Sequence, residues 1–487
     1  MDFIPDVSIT ELVFRGLAGR ESEPALIDGV TGHVLTGAGF RERVERLAGG
    51  LAARGIGPGR VVALLAPNAP DWCAAFHAVA WAGGTVTTLS PLATAAEVAG
   101  QLRDSGAVLL VTVPELSAAR EGAAAAGVAA APVEALTGAP LRAQVAVDPA
   151  RDVAAMPYSS GTTGAPKGVR LTHRNLVANV VQVRAALALR PGDATLAFLP
   201  YFHVYGMTML MNLYLAAGGV QVTLPRFELA AALGLIERHR VRQLYAVPPV
   251  VMALARDLAV EGYDLSSLMF VNSGAAPLGA GVAEACAARI GCEVIQGYGM
   301  TEMSPVSHIT RPGRNRAGTS GQPLAGTECR LVDPGTGTEV APGEAGELQV
   351  RGPQVMAGYH GRPEATAAAL APGGWLRTGD LAEIDGEGYL TVLGRVDEVI
   401  RVDGREVAPA EIEAVLLTHP SVADVAVAGE EPRAFVVAAA GAVPELGALQ
   451  RHLAAHLPAH KRIGALEVVA GIPKSASGKI LRRLLPG

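Results

Sequence analysis

The sequence predicts an α/β protein: a large N-terminal domain of two parallel or mixed sheets with helices, a small β subdomain, and a small α+β C-terminal domain. Three observations predict it. Short apolar runs alternate with Ala-rich amphipathic stretches through the first half of the chain and beyond, the pattern of parallel strands joined by crossover helices. From about Cys329 turn signals recur every eight to ten residues, as in antiparallel sheet. After Gly394 a fresh set of strands and helices begins, about 90 residues long, enough for a separate small domain. The expected boundaries are 1–394, with the β subdomain at about 325–394, and 395–487.

Taken in order, the apolar runs VVALLAP (61–67), TVTTLSP (85–91) and AVLLVTV (107–113) read as strands, with a helix at Trp72–Ala82. Residues 117–142 are Ala-rich and read as a surface helix and loop. Strands resume at AFLP (197–200), VQVTLP (220–225), QLYAVPP (243–249) and MFVNSG (269–274). In the C-terminal part, helices are expected at Ala408–Thr418 and Leu446–Leu457. From Ala194 to Pro225 there is no Asp, Glu, Lys or Arg. That run is broken by Pro200, His203, Gly206, Asn212 and Gly218-Gly219, so it reads as buried strand, loop and helix rather than a membrane span.

Composition narrows the function classes. Of 487 residues, 50% are hydrophobic and 18% charged, which excludes a disordered chain. A net charge of −6 provides no field to attract nucleic acid or anionic lipid. Cys73, Cys286, Cys292 and Cys329 form no CxxC or zinc spacing. With an acidic N-terminus and no apolar signal core, a reduced cytoplasmic location is expected. Lysine is scarce: only Lys167, Lys461, Lys474 and Lys479 among 40 basic residues. Such a chain is expected to keep Lys where a compact, flexible ammonium serves better than a planar fork.

Four motifs carry chemistry. Tyr158-Ser-Ser-Gly-Thr-Thr-Gly-Ala-Pro-Lys-Gly168 packs glycines, hydroxyls and one Lys into a loop whose backbone N–H groups can cradle phosphate. It is not the Walker pattern. Gln296-Gly-Tyr-Gly-Met-Thr-Glu302 offers a ring face, a hydroxyl and a carboxylate suited to Mg²⁺, or simply a tight turn. Arg377-Thr-Gly-Asp380 reads as a turn whose acid accepts from a diol. Pro473-Lys-Ser-Ala-Ser-Gly-Lys479 is a basic loop, or a solvated tail.

Together and in this order, the four motifs resemble the adenylate-forming enzymes: acyl-CoA synthetases, peptide-synthetase adenylation domains and luciferase. Leu199–Tyr205 (LPYFHVY), Val271–Leu278 (VNSGAAPL) and Gly404–Ile412 (GREVAPAEI) are most similar to the 4-coumarate–CoA ligase branch. The resemblance implies that Ser159, Ser160, Gly161, Thr162, Thr163, Gly164 and Lys167 hold the triphosphate of ATP. It places Tyr298 on adenine, beside Gly274, Ala275 and Ala276 and within the Gln296, Gly297 and Gly299 stretch. It gives Asp380 and Arg395 to ribose, Thr301 to phosphate and Glu302 to Mg²⁺. Lys479 then bridges the substrate carboxylate and the α-phosphate, and Asp397 is the hinge of a mobile C-terminal domain. His203 gates a pantetheine tunnel or lines the acyl pocket, whose walls would be Phe202, Val204, Tyr205, Ala275, Gly299, Pro305 and Val306. None of these wall residues is charged, and Ala275 and Gly299 are small.

The implied function is activation of a carboxylic acid, aromatic (cinnamate- or benzoate-like) or medium-chain, to an acyl-adenylate with pyrophosphate release and transfer to CoA. Where relatives have Lys this chain has Arg401, and it has Asp403-Gly-Arg-Glu406 where many coumarate ligases have Lys-Gly-Phe-Gln. These positions border the second half-reaction. The alternative is therefore an adenylating enzyme with another acceptor or anion: carrier-protein loading, amide formation, or nitrite activation. Expected partners are a small acid and an optional carrier protein, with no nucleic acid and no membrane insertion; monomer and homodimer both stand.

Overall fold

The apolar runs become the centres of two sheets. A computed structural model describes residues 4–159, 166–341, 343–402, 405–474 and 480–486. In the first sheet Val61–Leu65 lies between Ala107–Thr112 and Thr85–Thr88, all parallel, with Ala129–Ala131 outside one and Val153–Ser159 outside the other. Val61–Leu65 is buried at every position but the first, the pattern of a strand covered on both faces. Helix Pro70–Trp81, buried along its length except Asp71, is one cover. Helix Ala95–Ser105 is another: Thr94 and Glu97 form its capping box and Gly106 ends it at φ 66°. Lys167–Gly168 and Leu171–Thr172 return antiparallel onto Val153–Ser159.

The second sheet has nine strands. Glu293–Gly299, Phe270–Ser273, Gln243–Ala246, Ala194–Ala197, Val220–Thr223 and Pro24–Asp28 run in that spatial order, all parallel. Val306–Ile309 and then Gln322–Pro323 add antiparallel strands on one side, and Val34–Thr36 adds one on the other. The uncharged stretch is indeed buried: strand, π-helical Tyr205–Asn212, helix Leu213–Ala217 and strand. Among the described residues no helix is long and apolar enough to cross a membrane.

Two local expectations change. The strand expected at 197–200 ends at Ala197, because Asn68 takes over as its neighbour. Its amide donates to Ala197 O (3.0 Å) and Leu199 O (2.9 Å) and accepts from Tyr201 N (2.8 Å), turning the chain out of the sheet. In the Ala-rich segment, helix Ser117–Ala126 is followed by a short edge strand, Ala129–Ala131, which low complexity concealed.

Glu328–Val332, Gly346–Arg351, Leu370–Ala371, Trp375–Ile384 and Leu390–Arg395 form an antiparallel five-stranded sheet, as the turn spacing implied. Beyond it, Val422–Ala428, Arg433–Ala438 and Ala465–Val468 make a small sheet packed by helices Pro409–Leu416 and Leu446–Ala454. Ile412, Leu416, Val425, Val436, Leu449 and Leu453 belong to an apolar cluster distinct from the main one, which runs from Ile4 to Leu390. Arg256 bridges the two parts, donating to Leu417 O at 2.9 Å, at the carbonyl end of helix Pro409–Leu416.

Three buried histidines have an energetic consequence. Burial pushes His77 and His308 down to about 3 and His173 to about 4, from 6.5. The unfolded chain therefore binds protons that the fold refuses. Stability is complete above pH 6.5 and is lost as pH falls toward 4. At pH 5, 1.5 units below the unfolded value, each contributes about 2 kcal/mol of destabilisation. The urea midpoint should drop between pH 7 and pH 5, and less so in His308→Gln. Equal midpoints at both pH values would refute the account.

Candidate active site

Parallel sheets open their ligand crevices beyond the carboxyl ends of their strands. Phe270–Ser273 and Glu293–Gly299 end at such a crevice here, a cleft of about 760 Å³. Every described residue of the predicted site lines it, except Asp397. Asp397 sits instead in the turn Val396–Glu398, its carboxylate 3.5 Å from Arg395 Nε. Ser160 to Gly164 and Lys479 lie outside the described residues.

At one end, Tyr298 donates its hydroxyl to Asp380 Oδ2 at 2.5 Å. Arg395 donates through Nη1 to Asp380 Oδ1 (3.0 Å) and to Thr378 O (2.8 Å). Burial first, and the Asp380 charge second, push the Tyr298 hydroxyl far above its ordinary range, so it stays a donor. Arg377–Asp380 was expected as a turn; it is a bulge inside the ten-residue strand Trp375–Ile384. Glu347 pairs with Leu381 and Gln349 with Arg377, so Leu348 alone faces Thr378, Gly379 and Asp380. Gly379 makes the bulge possible at φ 68°, where a Cβ would also meet Arg395 Nη2 at 2.6 Å. The extra residues aim Asp380 into the cleft.

Lys167 and Glu302 approach from two other elements. Ser159 and Lys167 pair across the mouth of the glycine-rich loop, and Glu302, 4% exposed, sits in the short turn Thr301–Met303. Between them stands Tyr359, which sequence reasoning missed because nothing local marks it. Its ring lies under Lys167 Nζ, 4.8 Å from the centroid, and its hydroxyl donates to Glu302 Oε1 at 2.8 Å. Of the described lysines, Lys167 lines the cleft. Lys461 and Lys474 form ion pairs with Glu411 and Asp424 instead, both at 2.6 Å.

The other end is apolar, walled by Phe202, Val204, Tyr205, Pro305 and Val306. Tyr205 donates its hydroxyl to Asn272 O at 3.3 Å, and its N–H to His203 Nδ1 at 3.3 Å. Enclosure lowers His203 to about 4, so it is neutral at pH 7. Asn272, also missed in the sequence, is 2% exposed, and its side-chain Oδ1 has no partner among the described residues. Among the buried polar groups left in that state, it is the one facing this end of the cleft.

Gly299 requires a correction. It lines the cleft, yet a Cβ there would stand 2.1 Å from Pro305 O and 3.0 Å from Val306 Cα. Its missing side chain accommodates the neighbouring strand rather than a substrate ring.

The sequence from 13 to 360 matches the model of the AMP-binding enzymes, and 411–479 that of the AMP-binding enzyme C-terminal domain. The chain belongs to the AMP-binding enzyme family. As a member of this adenylate-forming family it is a ligase. It is 38% identical to 4-coumarate–CoA ligase 5 of Oryza sativa subsp. japonica, over 99% of this chain and 95% of that one. Among solved structures, the anthranilate CoA ligase AuaEII in complex with anthranoyl-AMP superposes with a TM-score of 0.91 at 27% identity, covering 98% of this chain and 96% of that one. O-succinylbenzoate coenzyme A synthetase (MenE) from Bacillus subtilis, in complex with ATP and magnesium ion, superposes at 0.87 and 29%, covering 99% and 100%.

The correction at Gly299 is testable in this family member. Gly299→Ala forces a methyl group against backbone that cannot rotate away, and overpacking of this kind costs about 1–3 kcal/mol. Denaturant titration should show that loss. A change within about 0.5 kcal/mol would mean that the strand yields freely.

Proposed function

We propose that the protein activates a neutral, ring-bearing carboxylic acid with ATP and passes the acyl group to coenzyme A. The observation that carries the reading is the polarity of one cleft. A cation, a carboxylate and a tyrosine–aspartate–arginine chain gather at one end, and an uncharged wall closes the other.

The residues present fit a magnesium nucleotide. Tyr298 offers a ring beside Gly274, where a Cβ would already touch the Tyr205 phenol at 3.1 Å, so the strand edge is kept bare for a flat base. Asp380, held by two donors, retains lone pairs for a ribose diol. Lys167 and the loop behind it would take the triphosphate, with Thr301 alongside. No described group donates to Glu302 Oε2, which suits a cation that binds one or two carboxylates plus phosphate oxygens. Magnesium, when bound, would offset charge on those oxygens.

The reaction brings two anions together, since a carboxylate oxygen attacks the α-phosphorus and displaces pyrophosphate. Lys167 and Lys479 reduce that repulsion and hold the groups in line. A thiol then attacks the acyl carbon and AMP leaves. The apolar wall supplies no cation for a second carboxylate, which would be costly to bury unpaired. Asn272 favours a ring carrying a hydroxyl, because a hydroxyl can both donate and accept and so satisfies the amide whichever way it is turned.

Pyrophosphate release across a panel of acids, with and without CoA, tests the proposal. Hydroxylated cinnamates or benzoates should exceed their unsubstituted analogues about tenfold in kcat/KM, the value of one buried hydrogen bond. Lys479→Ala should abolish release. Release that no carboxylic acid stimulates, or an acyl-adenylate that CoA never consumes, would defeat it.

The separate apolar cluster and the turn at Val396–Glu398 support reading 395–487 as a domain that swings about Asp397 between the two half-reactions. Asp397→Pro fixes φ near −65°, so it should slow one half-reaction far more than the other when each is measured alone. Wild-type rates in both would place the hinge elsewhere.

A further inference from the structure

Lys167 and Glu302 carry opposite charges at the same end of the cleft, yet they form no ion pair with each other. Nor does Lys167 pair with any other described acid. Tyr359 accounts for this. Its ring takes the ammonium on one face, and its hydroxyl takes the carboxylate at the edge.

The placement of that side chain is over-determined. Arg170 N donates to Gly358 O (2.9 Å), His360 N to Gly168 O (2.8 Å) and Ala357 N to Arg170 O (3.0 Å), so Tyr359 stands opposite Val169 in fixed register. Met356 N donates to Glu302 O at 2.9 Å, fastening the same segment to the carboxylate's own turn. Gly358, at φ 127°, lies against Thr366. Thr366 Oγ1 in turn accepts from Tyr359 N (2.9 Å) and donates to Arg362 O (2.9 Å). The segment thus contacts both elements that present charge.

We infer that Tyr359 is a positioning residue that holds Lys167 and Glu302 apart and ready for a magnesium nucleotide. A direct Lys–Glu pair would neutralise both groups and would have to be broken by each incoming ligand. A cation–π contact leaves the ammonium its full charge and its three donors. A single phenolic donor occupies one carboxylate oxygen and leaves the other open. The inference rests on the nucleotide reading of this cleft.

Two substitutions separate the two contacts. Tyr359→Phe keeps the ring and removes the hydroxyl; Tyr359→Leu removes both. Calorimetry with Mn²⁺ added to the ATP-saturated protein reads the carboxylate side, and ATP binding in EDTA reads the lysine side. Tyr359→Phe should weaken Mn²⁺ binding about five- to tenfold, the value of a hydrogen bond to a charged group, while ATP binding in EDTA stays within twofold. Tyr359→Leu should weaken both, the second by about two- to fivefold. Wild-type Mn²⁺ affinity in Tyr359→Phe, or equal losses in both measurements accompanied by a lowered melting temperature, would overturn the inference. Glu302→Gln and Lys167→Ala serve as references. If they change neither affinity, the nucleotide reading itself falls and the inference with it. If they do and Tyr359→Phe does not, only the inference falls.

Discussion

Asp380 accepts from Arg395 on the adjacent strand of its own antiparallel sheet and from Tyr298 of the nine-stranded one, and the Tyr298 bond ties the two sheets together. The carboxylate is largely enclosed, with 15% of its side chain exposed and Arg395 at 18%. A charge so placed is tolerable only with its partners in position. Removing either donor would leave one carboxylate oxygen unpaired while the other keeps its partner. The bulge at Gly379 aims the carboxylate, and the cleft's polar end follows from it.

The cleft is divided electrostatically along its length. At the polar end, charges are kept available by neutral intermediaries: the Tyr298 hydroxyl on Asp380, the Tyr359 ring and hydroxyl between Lys167 and Glu302. At the apolar end the polar groups are neutral, with His203 lowered to about 4 and Asn272 uncharged. A charged end beside a neutral wall thus divides the cleft by polarity along its length. The C-terminal part closes this space with a charge cluster of its own. Arg482 donates to Glu413 at 2.7 Å and reaches Glu398 at 3.3 Å. Burial nonetheless raises Glu413 to about 7, because desolvation there outweighs the pull of the arginine.

Backbone conformation contributes as much as side chains. Ala275 sits at φ 71° where the strand Phe270–Ser273 has ended, a left-handed position that costs a non-glycine residue of order 1 kcal/mol or more. Its neighbours Gly274 and Gly299 are set by close approach to Tyr205 and Pro305. A cleft floor built this way is shaped by main chain and changes little when surface side chains are exchanged.

The sequence by itself determined the alternation of strands and helices, the antiparallel sheet after Cys329, the separate C-terminal cluster and many of the residues that line the cleft. These are local: apolar period, turn chemistry and short motifs act over ten residues or so. Tyr359, Asn272 and the side on which Gly299 is crowded were decided by tertiary structure. Tyr359 becomes important only when residues 357–360 pair with 168–170, nearly two hundred positions away. Asn272 looks like any strand residue until the fold leaves its Oδ1 without a partner at a cavity wall. Gly299 looks like space for a ring until Pro305 is seen to fill it. Arg377–Asp380 shows the same limit: as a sequence it is a turn, and only the count of partners on Gly346–Arg351 makes it a bulge. Long-range pairing decides which face of a residue meets water, ligand or backbone, and no local pattern encodes that.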